Sequence, residues 1–142
     1  PIGPGEILFT EQFYEDCKKC LTEGGVLVTQ NGVPMVQASE LSNSYRRLRN
    51  HFADVTCYLA PVPTYFGGHM AFGWATDDPE KRRTTADEIE RRYERTVLET
   101  RYYNAAVHAA AFALPNYISR LLDDRSAREA SHATASASEP TT

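Results

Sequence analysis

With 142 residues, 42% of them hydrophobic and 24% charged, the chain has room for one small folded domain and not for two ordinary ones. Its net charge of −4 argues against nucleic acid as a partner, which needs a concentrated basic surface, and suits a cationic small molecule. No basic stretch precedes an apolar run at the N-terminus, and no apolar run approaches the roughly 20 residues of a membrane-spanning helix, so the expectation is a cytoplasmic protein with no membrane partner.

Residues 1–8 (PIGPGEIL) read as a turn punctuated by proline and glycine. Residues 10–23 read as an amphipathic helix, with Thr10 as N-cap and Phe9, Phe13, Cys17 and Leu21 recurring every fourth residue. Gly24-Gly25 stops it, because glycine readily takes the left-handed conformation that follows a helix end. Residues 25–30 (GVLVTQ) are a short, β-branched apolar run of the kind found in a buried central strand, and Asn31-Gly32-Val33-Pro34 is the loop after it. Residues 38–52 read as a second helix, with Leu41, Tyr45, Leu48 and Phe52 on one face and Arg46, Arg47 and Arg49 on the other.

Residues 54–60 and 69–75 read as two strands joined by a connection rich in Pro61, Pro63, Gly67 and Gly68, which predicts an antiparallel hairpin. Residues 77–84 form a charged loop, and Thr85 followed by Glu88 fits a capping box opening a polar helix over 86–98. Residues 102–123 read as two short helices, the second with Pro115 in its first turn. From Asp124 onward the small, polar composition predicts a disordered tail over 124–142, leaving 1–123 as the folded part.

The alternation of helices and strands predicts an α/β layered fold. A closing antiparallel hairpin after a parallel strand resembles the C-terminal part of a class I methyltransferase-like (Rossmann-like) sheet, followed here by C-terminal helices. Three strands leave one sheet edge open, and an upstream portion would supply the missing strands.

Cys17, Cys20 and Cys57 are an odd count and give no disulfide framework, in agreement with a reducing compartment. Cys17-Lys18-Lys19-Cys20 has C-x-x-C form, but a zinc site needs about four ligands, and a redox pair would open a helix rather than lie late in one. With Cys17 on the Phe13–Leu21 face, the pair reads as buried structural thiols. His51, His69, His108 and His132 share no ligand spacing, so no metal site is expected. Lys81, Arg82, Arg83, Arg91, Arg92 and Arg95, interleaved with Glu88, Glu90, Glu94 and Glu99, read as a solvated face laced with ion pairs.

Several segments in order carry a resemblance. PIGPGE followed by LFTEQFY, then GVLVTQNG, then VPTYFGGHMAFGWA, then RYYNAAVHAAAFALPNYI resemble successive segments of the spermidine synthase (polyamine aminopropyltransferase) family, from Pro1 to about Leu122. The resemblance implies the C-terminal part of a catalytic domain. The parent would transfer an aminopropyl group from decarboxylated S-adenosylmethionine to putrescine, with spermidine and methylthioadenosine as products. It would use no cofactor beyond that cosubstrate and would assemble as a homo-oligomer. In the family an acidic residue precedes the Pro-x-Gly-Pro turn and a catalytic aspartate lies further upstream. The expectation is therefore that this chain alone is inactive.

The resemblance also assigns residues. Tyr65, in Pro63-Thr64-Tyr65, matches the family tyrosine that contacts and orients the acceptor amine, the one catalytic assignment within the chain; read without the family it is an aromatic capping a strand end. Gln30, at the C-terminal end of a predicted strand, matches a glutamine near the diamine, and on its own reads equally as a polar residue bonding the next loop. Pro4, Gly5 and Leu8 match positions lining the adenine pocket of the cosubstrate, or form a plain turn into a helix. Met70 aligns near a variable pocket residue and reads as core. Ala105 departs from the family, which usually has proline after Tyr-Tyr-Asn. Alternatives are another amine acceptor, an S-adenosylmethionine-dependent amine methyltransferase on the same fold, and a non-catalytic assembly fragment.

Overall fold

A computed structural model describes residues 3–123; the tail predicted over 124–142 and the first two residues lie outside the described residues. A 3-10 turn over Pro4–Phe9 leads into helix α1, Glu11–Cys20, whose first turn is capped by Thr10: its hydroxyl oxygen accepts from Phe13 N–H at 3.2 Å. α1 ends three residues earlier than expected. Leu21 is already extended, and Gly24, at φ 64°, turns the chain into strand β1, Val26–Gln30. Helix α2, Ala38–Arg49, then leads to strands β2, Asp54–Ala60, and β3, Met70–Thr76. The charged loop contains a 3-10 turn over Pro79–Arg83, pinned to the start of β2 by Arg82, which grips both Asp54 oxygens at 2.6 and 3.0 Å. Helices α3, Ala86–Glu94, α4, Ala105–Ala111, and α5, Asn116–Leu121, complete the described chain.

The sheet order is β1-β3-β2, and β3 is antiparallel to both neighbours. The predicted hairpin is therefore present, and β1 and β2 run in the same direction without touching. One expectation is corrected: β1 does not sit in the centre. The returning strand β3 occupies the middle, and among the described residues β1 has a strand on one side only. Apolar, β-branched composition marks a strand meant to be covered, but it does not say which strand is its neighbour.

Strand alternation divides the side chains between two faces. On one face Leu27, Val55 and Ala75 pack with Tyr14 of α1, Leu48 of α2 and Phe52 just beyond α2, while Cys57, Leu59 and Ala71 pack with Leu41 and, from α5, Ile118. On the other, Tyr58 stacks on Phe72 with ring centres 5.2 Å apart, and Phe112 of α4 meets Tyr58 and Trp74 at 5.6 and 5.4 Å. α4 and α5 thus lie on opposite faces.

Further boundaries and burial differ from expectation. α1 buries Tyr14 completely, not the Phe13–Cys17 line alone, because the phenol reaches Ser44 Oγ at 2.9 Å inside the core. Burial pushes the Tyr14 phenol up, with Ser44 and Arg47 opposing. α2 ends at Arg49 rather than 52, although Phe52 is buried as expected. α3 ends at Glu94 rather than 98, and only half of its capping box forms: Thr85 accepts from Glu88 N–H at 3.3 Å, while the Glu88 carboxylate turns to Arg91 and Arg92. Pro115 is the residue before α5 rather than part of its first turn.

At the middle of β3, Gly73 faces Thr29. A β-carbon there would lie 2.4 Å from Thr29 Oγ1 and 2.5 Å from Asn31 Oδ1. Gly73→Ala is expected to destabilise the chain by about 1–3 kcal/mol, the usual cost of overpacking a filled interior. Urea unfolding followed by circular dichroism checks this; an unchanged midpoint would contradict the packing described.

Candidate functional site

The C-terminal ends of β1 and β2 and the start of β3 lie at one end of the sheet, the end where open α/β sheets bind ligands. The loop after β1 is held there by backbone bonds: Asn31 N–H donates to Ala71 O at 2.9 Å, and Ala71 N–H donates to Gly32 O at 2.9 Å. Two residues of the β1 side thus oppose one of β3, a bulge of the kind that re-aims side chains at strand ends.

Asn31 is fully buried, and its Oδ1 accepts from Gly73 N–H at 2.8 Å and from the Thr29 hydroxyl at 2.9 Å. Its amide nitrogen is buried with no partner among the described residues. Sequence reasoning placed Asn31 only in a loop. The available signal was an amide side chain at the turn out of an apolar strand, where it can satisfy backbone groups.

Gln30, the last residue of β1, is exposed and pairs in register with Phe72. By alternation it shares a face with Phe72 and Tyr58, whose rings stack on each other. Burial pushes the Tyr58 phenol up.

Tyr65 lies on the β2–β3 connection, 48% exposed, with its N–H bonded to Val62 O at 2.9 Å. Gly67 in the same connection has φ 100°, and a β-carbon there would lie 3.3 Å from Val33 and 3.7 Å from Val36. The connection carrying Tyr65 therefore folds against the loop that follows Gln30. Met35, Val36 and Phe66 are exposed along this rim, Phe66 at 92%.

Pro4, Gly5 and Leu8 are exposed on the 3-10 turn ahead of α1. That turn is tied to α1 by Thr10 N–H to Ile7 O at 3.3 Å and to α2 by Arg47, which donates to Phe9 O. Met70 is 3% exposed and belongs to the core. His69 is exposed, His51 lies 3.1 Å from Glu11, and His108 Nδ1 lies 3.1 Å from Tyr103 Oη, with burial lowering the imidazole's pKa.

The cysteine expectation is corrected in part. Cys57 is buried, Cys17 is half-buried and Cys20 is exposed, because Cys20 ends α1 on the side away from Tyr14. Among the described residues no three His, Cys, Asp or Glu side chains group closely enough to hold a metal ion, and no helix is long and apolar enough to cross a membrane.

A family model described as the Spermine/spermidine synthase domain matches residues 1–85. Polyamine aminopropyltransferases of Salmonella arizonae and Salmonella typhi are each 52% identical over 118 residues, covering 83% of this chain and 41% of the relative. The chain thus spans about two fifths of the length of the curated relatives it matches. Among solved structures, a spermidine synthase in complex with the transition-state analogue AdoDATO superposes with a TM-score of 0.73 at 33% identity, covering 84% of this chain and 40% of that one. The spermidine synthase from Thermotoga maritima gives 0.72 at 32% identity with the same coverage.

The thiols provide a direct check on these surroundings. Burial pushes the Cys57 thiol up to about 12, so its reactive thiolate is scarce at pH 8. An iodoacetamide time course read by mass spectrometry is expected to label Cys20 first, Cys17 more slowly because burial raises its thiol, and Cys57 only after denaturation. Early labelling of Cys57 in the native chain would contradict the core described.

Proposed function

The chain belongs to the spermine/spermidine synthase family, and from that premise we propose that it carries the amine-acceptor side of a polyamine aminopropyltransferase. The parent reaction is transfer of an aminopropyl group from decarboxylated S-adenosylmethionine to putrescine. A neutral amine nitrogen attacks the carbon beside the sulfonium, the carbon–sulfur bond breaks, its electrons return to sulfur as methylthioadenosine, and the new ammonium loses a proton. In water putrescine is mostly protonated, so a site must remove or redirect a proton and hold the free lone pair towards the carbon. The remaining contribution is positioning in a site from which water is excluded.

One observation supports this reading: the connection carrying Tyr65 folds against the loop that follows Gln30, at the strand end where open α/β sheets bind ligands. The Tyr65 hydroxyl both donates and accepts, so it can orient the amine and pass its proton to water. The Gln30 amide offers a carbonyl to an ammonium and an N–H₂ to a lone pair, on the face it shares with Phe72 and Tyr58, whose rings offer apolar contact to a diamine's methylene chain. Pro4, Gly5 and Leu8 are proposed to meet the adenine of the cosubstrate. The acidic base and the ribose contacts are proposed to come from the portion of the relatives that this chain does not span, which is also where the subunit contacts of a homo-oligomer are expected.

The test fuses that portion of a curated relative to this chain and supplies decarboxylated S-adenosylmethionine with a panel of amines, the products being read by mass spectrometry. Spermidine and methylthioadenosine are expected from putrescine. Tyr65→Phe is expected to lower kcat/KM by about 10- to 100-fold and Gln30→Ala by about 3- to 10-fold, the range of one hydrogen bond to a charged or neutral partner. The 142-residue chain by itself is expected to give no product. Methylated amine from S-adenosylmethionine, or turnover indifferent to both substitutions, would overturn the reading.

A further inference from the structure

The arginines of the charged loop and of α3 are held by carboxylates: Arg82 by Asp54, Arg83 by Glu80, and Arg91 and Arg92 by Glu88. Two arginines of α2 are held differently. Among the described residues Arg46 donates to Asn43 Oδ1 and Arg47 donates to Phe9 O, and neither pairs with a carboxylate. We propose that these two side chains head an anion site on the outer side of α2, and that its ligand is a linked chain of phosphates, free or carried by a nucleotide.

The helix geometry gathers the donors. Leu41, Ser44 and Leu48 are the buried line of α2. At 3.6 residues per turn, Asn43, Arg46, Arg47 and Asn50 fall in a row on the opposite side, about 10 Å long. The row lines a cavity of about 560 Å³ together with Arg49 and, from α1, Glu11. Three guanidiniums thus share the cavity with one carboxylate, on a chain whose net charge is −4. That carboxylate is already engaged: Glu11 Oε1 accepts from Asn50 Nδ2 at 2.9 Å, and Oε2 lies 3.1 Å from His51 Nε2. Arginines near the end of a helix complement its dipole, which accounts for their sign. It does not account for guanidiniums left to neutral acceptors around one cavity.

The donor set selects the ligand. A guanidinium carries five N–H donors in a planar fork that matches phosphate oxygens in pairs. Arg46 and Arg47 are each fixed by a neutral oxygen, which orients the side chain without cancelling its charge. Asn43 accepts through its oxygen, so its amide N–H₂ is a further donor in the same row. A single phosphate would occupy one fork, whereas linked phosphates can engage both at once. Nucleic acid would need an extended basic surface, which this acidic chain lacks. No aromatic side chain lines the cavity, so the phosphates and not a base are what it recognises. The site shares no residue with the proposed amine site, so either reading can fail while the other stands.

The experiment is isothermal titration calorimetry of the 142-residue chain at low salt, with tripolyphosphate, adenosine triphosphate and inorganic phosphate as separate titrants. Tripolyphosphate is expected to bind about tenfold or more tightly than phosphate, because it spans two forks. Adenosine triphosphate is expected to bind as tripolyphosphate does. Arg46→Gln and Arg47→Gln, each checked for folding by circular dichroism, are expected to weaken tripolyphosphate about tenfold, the range of a charge-assisted hydrogen bond. Arg46 is exposed, so its variant decides the matter if loss of the Arg47 bond to Phe9 O disturbs the fold. Arg91→Gln on α3 is expected to leave binding unchanged. No binding of tripolyphosphate, equal binding of phosphate, binding of the nucleotide alone, or binding indifferent to Arg46→Gln would overturn the proposal.

Discussion

The Asn31 side chain accepts the Gly73 N–H and the Thr29 hydroxyl from inside the core, and the geometry of this end of the sheet follows from that junction. It fastens the end of β1 to the middle strand just where the chain turns out of the sheet. Only glycine fits at position 73, because any β-carbon would meet both oxygens. The bulge at Asn31-Gly32 leads into the loop that follows, and Gly67 comes up against Val33 and Val36 of that loop. Gln30, which ends β1, and Tyr65, thirty-five residues further along, thus flank two segments that meet at Gly67 and Val33.

The two faces of the sheet differ in how far the chain completes them. The face towards α1 and α2 is closed by Tyr14, Leu41, Leu48, Phe52 and Ile118 and has the character of a finished core. It is tied at its far end by Lys18, which bonds His51 O and pairs with Asp77 at 2.8 Å, and the lysine holds that carboxyl below its usual range. The other face rests on a few aromatic contacts between α4 and the strands, and it leaves Val28 and Tyr102 towards solvent. A chain that spans two fifths of its relatives is thus well packed where its own helices cover it and apolar where they do not.

Much of this was legible in the sequence because it is local. The Thr10 and Thr85 caps, the apolar stripe of α2 and the positions of β2 and β3 all follow from spacing and side-chain type. What stayed hidden depends on partners far along the chain. No periodicity says that β3 returns between β1 and β2, so β1 read as a central strand. Tyr14 stood outside the stripe read for the first helix, and its partner in the core, Ser44, lies thirty residues away. Cys20 shared a motif with Cys17 but not its surroundings, because burial on α1 centres on Tyr14. At the candidate site the residue types at Gln30 and Tyr65 were readable, whereas Asn31, which sets the strand end beside them, carries no motif.

The central claim is that the end of the sheet bearing Gln30 and Tyr65 receives the amine. The most direct measurement is a crystal structure of this chain, joined to the missing portion of a relative, with methylthioadenosine and putrescine bound. The account predicts an amine nitrogen within hydrogen-bond reach of Tyr65 Oη, with the Gln30 amide contacting the same diamine over Phe72. A diamine bound elsewhere, with both side chains left to solvent, would contradict it.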